Sequence, residues 1–325
     1  MARPKVFVTH PLFESPRQLL AQHFDTDYWP HSERPPREEV LKRVAGKDAL
    51  ICLLTEKVND ELLDAAGPQL RMVANVAVGF DNIDVPACTR RKIVASNTPG
   101  VLDETTADFA WTLLMAVARR LHEGEKLARS GEWKGWSLDQ LCGGDVWGKT
   151  LGILGFGRIG RAVARRARGF NMRVIYNDAM RAAFDVEKEL GAEFCERDRV
   201  LAEADFISLH VPLLPETRHL VNAQSLARMK PTAYLVNTSR GPVVDEAALV
   251  AALDAKQLAG AALDVYEKEP QIHSGLMSRD DVVLAPHLAS ASIETRTKMA
   301  MMAAGNVVAR FTGQRPPNAL NPEVL

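Results

Sequence analysis

Ten short apolar runs recur along this chain, each separated from the next by enough residues for a helix or a turn, and this pattern narrows the fold more than any other feature. They are VFVTH (6–10), DALICLL (48–54), RMVANVAV (71–78), IVASN (93–97), TLGILGF (150–156), MRVIYND (172–178), ADFISLHVP (204–212), AYLVNTS (233–239), LAGAALDVY (258–266) and VVLAPH (282–287). A strand with one wet face alternates apolar and polar residues, whereas a strand covered on both faces reads as continuous Val, Ile, Leu and Ala. These runs are of the second kind, and strands of that kind separated by helices form parallel sheets with right-handed crossovers. The expected class is therefore α/β, with doubly wound parallel sheets. Two longer segments have helical periodicity. TTADFAWTLLMAVARRL (105–121) starts on Thr and ends on cations, and SIETRTKMAMMAAGNVVARF (292–311) places Ser292 and Thr295 in capping positions with Gly313 beyond its end. A chain of 325 residues is long for one core. We expect a lobe over residues 1–99 completed by 288–325, and a second lobe over 100–287.

Composition excludes several classes. The chain is 46% hydrophobic and 25% charged, its formal net charge is -1, and its Lys and Arg are dispersed, which argues against a nucleic-acid surface. The N-terminal MARPKVFVTHP lacks a long apolar leader, and no stretch approaches the roughly 18 apolar residues of a membrane span. Cys52, Cys88, Cys142 and Cys195 are far apart with no CxxC, which reads as small core residues in a reducing compartment rather than disulfides or zinc. The expectation is a cytoplasmic protein without a metal, a membrane or a nucleic-acid partner.

Residues 150–161, TLGILGFGRIGR, join a strand to a helix through Gly155, Gly157 and Gly160. In a dinucleotide site the first glycine makes the turn, the second lets the backbone approach a pyrophosphate, and the third lets helix and sheet pack closely. Gly155, Gly157, Arg158, Ile159 and Gly160 are thus cofactor-binding candidates. Asp178 ends the next strand, 18 residues past Gly160, where an acidic group grasps the ribose hydroxyls. Its alternative role is a turn or cap residue. A carboxylate there repels a 2′-phosphate and favours NAD over NADP, while Arg181 close behind softens that preference.

Three residues stand at later strand ends, where open α/β sheets place ligands: Arg240 in NTSRGPVVDE, Glu269 in YEKEP and His287 in APHLASAS. Singly they read as a surface cation, a turn residue and a structural histidine. Together they match the reduction of a 2-oxo acid by NADH. An imidazolium donates the proton that the carbonyl oxygen needs, a glutamate favours and orients that ring, and a guanidinium binds carboxylate and carbonyl oxygens with its fork.

NTSRGPVVDEAAL, GAALDVYEKEP, APHLASAS and LGILGFGRIG closely resemble the D-isomer-specific 2-hydroxyacid dehydrogenases, and the resemblance covers nearly the whole chain. It implies one flavodoxin-like and one dinucleotide-binding domain, both Rossmann-like, with a cleft between them. It also implies substrate binding by Arg240 and acid–base work by Glu269 and His287. In NVAVGFDNID it implies that backbone amides of Val78 and Gly79 hold the substrate carboxylate, with Val76, Ala77, Leu54 and Ser290 beside it. Asp264 should contact the nicotinamide carboxamide. Thr106, Val211, Pro212, Thr217, Thr238, Ser239, Arg240, His287 and Ala289 should contact the cofactor. Within the family, NTPGVLDETTADFAWTLLMAVARR, GEWKGW and GKTLGILGFGRIGRAVARRARGFNMRV look most like the glyoxylate/hydroxypyruvate reductases. Gluconate-type 2-ketoreductases are close neighbours. In related reductases a tryptophan at the Trp136 position reaches the partner subunit's active site, although Trp133 and Trp136 read equally well as ordinary core or interface aromatics. The long helix and its tryptophan-bearing extension suggest a homodimer. NADP-using members of the group tend to have Ser-Arg where this chain has Asp178-Ala179. Phosphoglycerate dehydrogenases share the acidic position, formate dehydrogenases lack the glutamate, and some relatives are NAD-sensing co-repressors.

Overall fold

The computed structural model describes residues 3–325. They divide into two compact units, one of residues up to Leu102 together with Ala291–Leu325, the other of Asp103–Ser290.

The first unit carries a parallel sheet of β1 (Lys5–Val8), β2 (Asp25–Tyr28), β3 (Ala49–Cys52), β4 (Met72–Asn75) and β5 (Val94–Ser96), in the order β2-β1-β3-β4-β5. This is the flavodoxin-like order. Successive strand residues point to opposite faces, and both faces are buried. Phe7, Leu50, Val73 and Ala95 pack with Val40, Leu62 and Leu63 on one side. Val6, Ile51, Met72 and Val94 pack with Leu20, Ala303 and Val307 on the other. That double burial is why the runs do not alternate. The helix Ile293–Phe311 belongs to this unit, and Ser292 caps it by accepting from the Thr295 N–H at 3.1 Å.

The second unit carries β6 (Thr150–Leu154), β7 (Arg173–Asn177), β8 (Ala192–Phe194), β9 (Phe206–Leu209), β10 (Tyr234–Asn237), β11 (Gly260–Leu263) and β12 (Val282–Leu284), ordered β12-β11-β10-β9-β6-β7-β8 with every pairing parallel. The order reverses between β6 and β9, and in such sheets ligands bind at the carboxyl ends beside that reversal. Leu151, Val174, Phe206 and Val236 face Trp111, Leu114 and Val117. Ile175, Ile207, Leu235 and Leu263 face Leu201, Leu226 and Leu249.

Three expectations need correction. Both sheets have one more strand than the apolar runs announce, because β2 (DTDY) and β8 (AEF) are short, partly exposed edge strands with polar residues. The helix expected over 105–121 spans Asp103–Ala118 and is followed by a separate helix, Leu121–Ser130. The break falls at Arg120, which is left-handed at φ 51°, and the Gly144 N–H caps the free Ala118 carbonyl at 2.8 Å. Cys52, Cys88 and Cys195 are buried, but Cys142 is exposed, in the irregular stretch that follows the second helix.

Candidate active site

Arg240, Glu269 and His287 follow three adjacent strands, and short-range contacts hold them. Asn237, the last residue of β10, shapes the turn that carries Arg240. Its Oδ1 accepts from the Ser239 N–H and hydroxyl at 3.0 and 2.8 Å, and its Nδ2 donates to the Arg240 carbonyl at 3.0 Å. Arg240 Nη1 donates to the Ser239 carbonyl at 2.9 Å. The next residue must be glycine, since a Cβ on Gly241 would lie 1.8 Å from the carbonyl carbon of Tyr266. This approach ties the Arg240 turn to the segment after β11. There Tyr266 donates its hydroxyl to the Ala285 carbonyl at 2.9 Å and its N–H to Glu269 Oε1 at 3.1 Å. The other carboxylate oxygen, Glu269 Oε2, meets His287 Nδ1 at 2.9 Å. Burial pushes the Glu269 carboxyl up, but the His287 hydrogen bond and charge, the Tyr266 N–H and the Arg240 guanidinium outweigh it and hold the group below its usual range.

His287 sits in the left-handed region at φ 56°, a conformation that costs a non-glycine residue about 1–2 kcal/mol. Asp264 holds it there. The Asp264 carbonyl accepts the His287 N–H at 2.9 Å, while its carboxylate takes the Leu288 N–H at 2.6 Å and the Ala289 N–H at 2.8 Å. Asp264 is fully buried, and that burial raises its carboxyl above the ordinary value. With Nδ1 turned to Glu269, His287 Nε2 has no hydrogen-bond partner among the described residues.

The glycine turn fits a dinucleotide. Gly155 has φ 95°, and a Cβ there would lie 2.5 Å from the His210 carbonyl carbon, so the turn sits against the chain leaving β9. A Cβ on Gly160 would strike the Gly155 carbonyl at 2.1 Å, but one on Gly157 would meet nothing within 4 Å. The first and third glycines are thus required by packing, and the second fronts open space at the start of the helix Arg158–Ala167, where anions bind. Arg158 is exposed there, and Ile159 packs partly against the core. Asp178 follows β7 and faces this turn: its Oδ2 accepts from the Phe156 N–H at 2.5 Å and its Oδ1 from the Met180 N–H at 3.2 Å. Thr238 Oγ1 is buried and has no hydrogen-bond partner among the described residues, as a hydroxyl that meets a ligand would. Val211 and Pro212 lie on the loop after β9, and Thr217 closes that loop by donating to the Pro212 carbonyl at 2.6 Å. Thr106 is buried in the first turns of Asp103–Ala118. His210 is neutral, since burial pulls it down to about 3, and its Nε2 shares a hydrogen bond with Ser208 at 2.8 Å.

The residues expected near the substrate carboxylate lie in the other unit, where Leu54 follows β3 and Val76, Ala77, Val78 and Gly79 follow β4. The two loops are stitched together. Asn82 Nδ2 donates to the Leu53 and Glu56 carbonyls at 3.2 and 3.0 Å, and Asn75 Nδ2 to the Gly79 carbonyl at 3.0 Å. Ser290 is half-buried at the end of the second unit. Trp136 joins neither group. It is 82% exposed, with Trp133 and Trp147 exposed nearby in sequence.

Residues 111–289 match the family model for the NAD binding domain of D-isomer specific 2-hydroxyacid dehydrogenases. Glyoxylate reductases from Thermococcus kodakarensis and Korarchaeum cryptofilum are each 51% identical to this chain, across 99% of it and 98% and 97% of their own lengths. The chain belongs to the D-isomer specific 2-hydroxyacid dehydrogenases. Among solved structures, the dehydrogenase is similar to the NADPH-dependent glyoxylate/hydroxypyruvate reductase of Sinorhizobium meliloti in complex with NADP and malonate. The TM-score is 0.87 at 33% identity, over 99% of this chain and 98% of that one. The dehydrogenase takes a nicotinamide dinucleotide, in agreement with its glycine turn.

Sequence reasoning assigned no role to several residues that shape these sites. Asn237 and Tyr266 set the turns that carry Arg240 and Glu269, and Asn75 and Asn82 join the two loops of the first unit. Asn75 and Asn237 are each a fully buried asparagine at the last position of a strand, a place that in sequence reads only as a turn former. Arg181 sits differently from expectation. It forms a two-pronged pair with the almost buried Glu187, at 2.9 and 2.8 Å, and Glu187 also accepts from the Tyr176 hydroxyl at 2.7 Å.

Proposed function

We propose that this dehydrogenase reduces a small 2-oxo acid of the glyoxylate or hydroxypyruvate type to the D-2-hydroxy acid, with His287 as the proton donor. The observation that carries this reading is the 2.9 Å pairing of Glu269 with His287 Nδ1, which leaves Nε2 for substrate. The reduced nicotinamide, when bound, supplies the hydride. His287 Nε2 gives its proton to the carbonyl oxygen as that oxygen gains charge, so the 2-oxo acid becomes a hydroxy acid and the ring is left neutral. Glu269 is held as a carboxylate, and its contact with Nδ1 fixes the ring that carries the proton. Arg240 offers its fork to the carbonyl and carboxylate oxygens, and its charge draws the developing oxyanion. The amides of Val78 and Gly79 hold the substrate carboxylate, with Leu54, Val76, Ala77 and Ser290 around it. On this reading, residues 1–99 with 288–325 form the substrate domain and 100–287 the dinucleotide domain.

NAD is the preferred cofactor on the same reading. Asp178 offers its carboxylate where a 2′-phosphate would sit, and Arg181, the nearby cation in sequence, is committed to Glu187. The acting form is a homodimer whose exposed Trp133, Trp136, Leu138 and Trp147 meet the second copy, with Trp136 reaching the partner's substrate. The test is a panel of glyoxylate, hydroxypyruvate, a 2-keto sugar acid and phosphohydroxypyruvate, each followed by loss of NADH and NADPH absorbance. Turnover of the two small acids with NADH supports the reading. Tight NADH binding with no turnover of any 2-oxo acid refutes it.

A further inference from the structure

We propose that three asparagines, the buried Asn75 and Asn97 and the half-buried Asn82, are positioning residues that make a receptor for the substrate carboxylate from the backbone after β4. The proposal rests on the function just given and adds residues to it. The N–H groups of Ala77, Val78 and Gly79 have no acceptor among the described residues, whereas the carbonyls of the same three residues are all engaged. The Thr98 N–H holds the Ala77 carbonyl at 2.9 Å, Asn97 Nδ2 the Val78 carbonyl at 2.8 Å, and Asn75 Nδ2 the Gly79 carbonyl at 3.0 Å. Consecutive amides without acceptors, on a backbone whose carbonyls are tied elsewhere, are free to bind an anion. A carboxylate is the anion of fitting size and charge in this reaction.

Asn82 joins this segment to the Leu54 loop. It exchanges hydrogen bonds with Asn75 at 3.0 and 3.3 Å and donates to the Leu53 and Glu56 carbonyls. That loop is closed from the far side by Glu56, only 2% exposed, whose carboxylate accepts from the Leu53 N–H and the Thr9 hydroxyl at 2.9 Å each and from the Thr55 hydroxyl at 2.7 Å. A carboxamide suits the Asn82 position because it both donates and accepts. Asn82→Asp keeps the shape but sets an acceptor against two carbonyls. Asn97→Ala releases the Val78 carbonyl alone.

The experiment measures oxalate, a carboxylate mimic of the 2-oxo acid, binding to the NAD-loaded full-length enzyme, for wild type and both variants. NADH affinity, thermal unfolding and glyoxylate kinetics are recorded beside it. Each variant should weaken oxalate roughly fivefold or more, the value of about one hydrogen bond. KM for glyoxylate should rise by a similar factor with kcat and NADH affinity unchanged, a split that loss of stability alone does not produce. In the wild type, oxalate should slow hydrogen exchange at the Ala77, Val78 and Gly79 amides. A folded Asn97→Ala enzyme that binds oxalate like wild type overturns the proposal. Should neither variant fold, absence of oxalate protection at those amides overturns it equally. If wild type neither turns over nor binds any 2-oxo acid, the function itself fails, and the two failures are thereby separated.

Discussion

Replacing Asp264 with Asn should cripple turnover without touching the side chains of Arg240, Glu269 and His287, to which we assign the chemistry. The carboxylate accepts the Leu288 and Ala289 N–H groups at 2.6 and 2.8 Å from a fully buried position. An asparagine keeps one acceptor and turns a donor toward the other N–H. That loses one hydrogen bond to a charged group, worth about 1.5–3 kcal/mol, and strands a buried donor at a further ~1–3 kcal/mol. The left-handed backbone of His287, at φ 56°, needs about 1–2 kcal/mol to be held. The clamp therefore exceeds the strain in wild type, and the strain wins once half of the clamp is gone. An angstrom-scale shift of a reacting group costs on the order of a hundredfold in rate. We expect kcat at saturating NADH and glyoxylate to fall by about that factor, with partial loss of thermal stability. A folded Asp264→Asn enzyme with kcat near wild type would show that His287 is placed by something else.

Further outcomes are expected from the same geometry. His287→Ala should lower kcat by roughly a hundred- to ten-thousandfold, the usual contribution of a general acid, with NADH affinity by fluorescence titration unchanged. Glu187→Gln should release Arg181 and raise the NADPH-to-NADH ratio of kcat/KM, more so combined with Asp178→Ala; an unmoved ratio in the double variant would place cofactor choice elsewhere. The Glu269 carboxyl is held below its unfolded value, so its contribution to stability is full above the unfolded pKa of about 4.3 and is lost as pH falls through the lower folded value. Acid unfolding of Glu269→Gln against wild type should show that difference shrinking below about pH 4. Equal acid sensitivity of the two would contradict it.

Much of this architecture was legible because burial leaves a mark on composition. Strands covered on both faces must be apolar throughout, and all ten such runs lie on strands of the two sheets. The edge strands β2 and β8 escaped because an edge needs neither apolar faces nor length. The break at Arg120 escaped because nothing in TTADFAWTLLMAVARRL signals it, and the Gly144 N–H that caps the helix end comes from a later segment. The glycine turn and the residues Arg240, Glu269 and His287 were legible as motifs, since each follows a strand. What holds them was not. Asp264 grips the backbone of a residue 25 positions away, and Asn237 and Asn75 read in sequence merely as turn formers. The Asp264 grip depends on a tertiary distance that spacing along a chain does not encode. Asn237 and Asn75 act within four residues, but a strand-end asparagine does not announce which carbonyl it holds.

The account rests on His287 delivering a proton from Nε2 while Glu269 holds Nδ1. A structure of the enzyme with NAD and oxalate measures this directly. It should place Nε2 about 2.6–3.2 Å from an oxalate oxygen, with the Glu269 contact at Nδ1 retained. An oxalate bound at the nicotinamide with His287 Nε2 turned away from it, or with Nε2 beyond hydrogen-bond reach, would contradict the account.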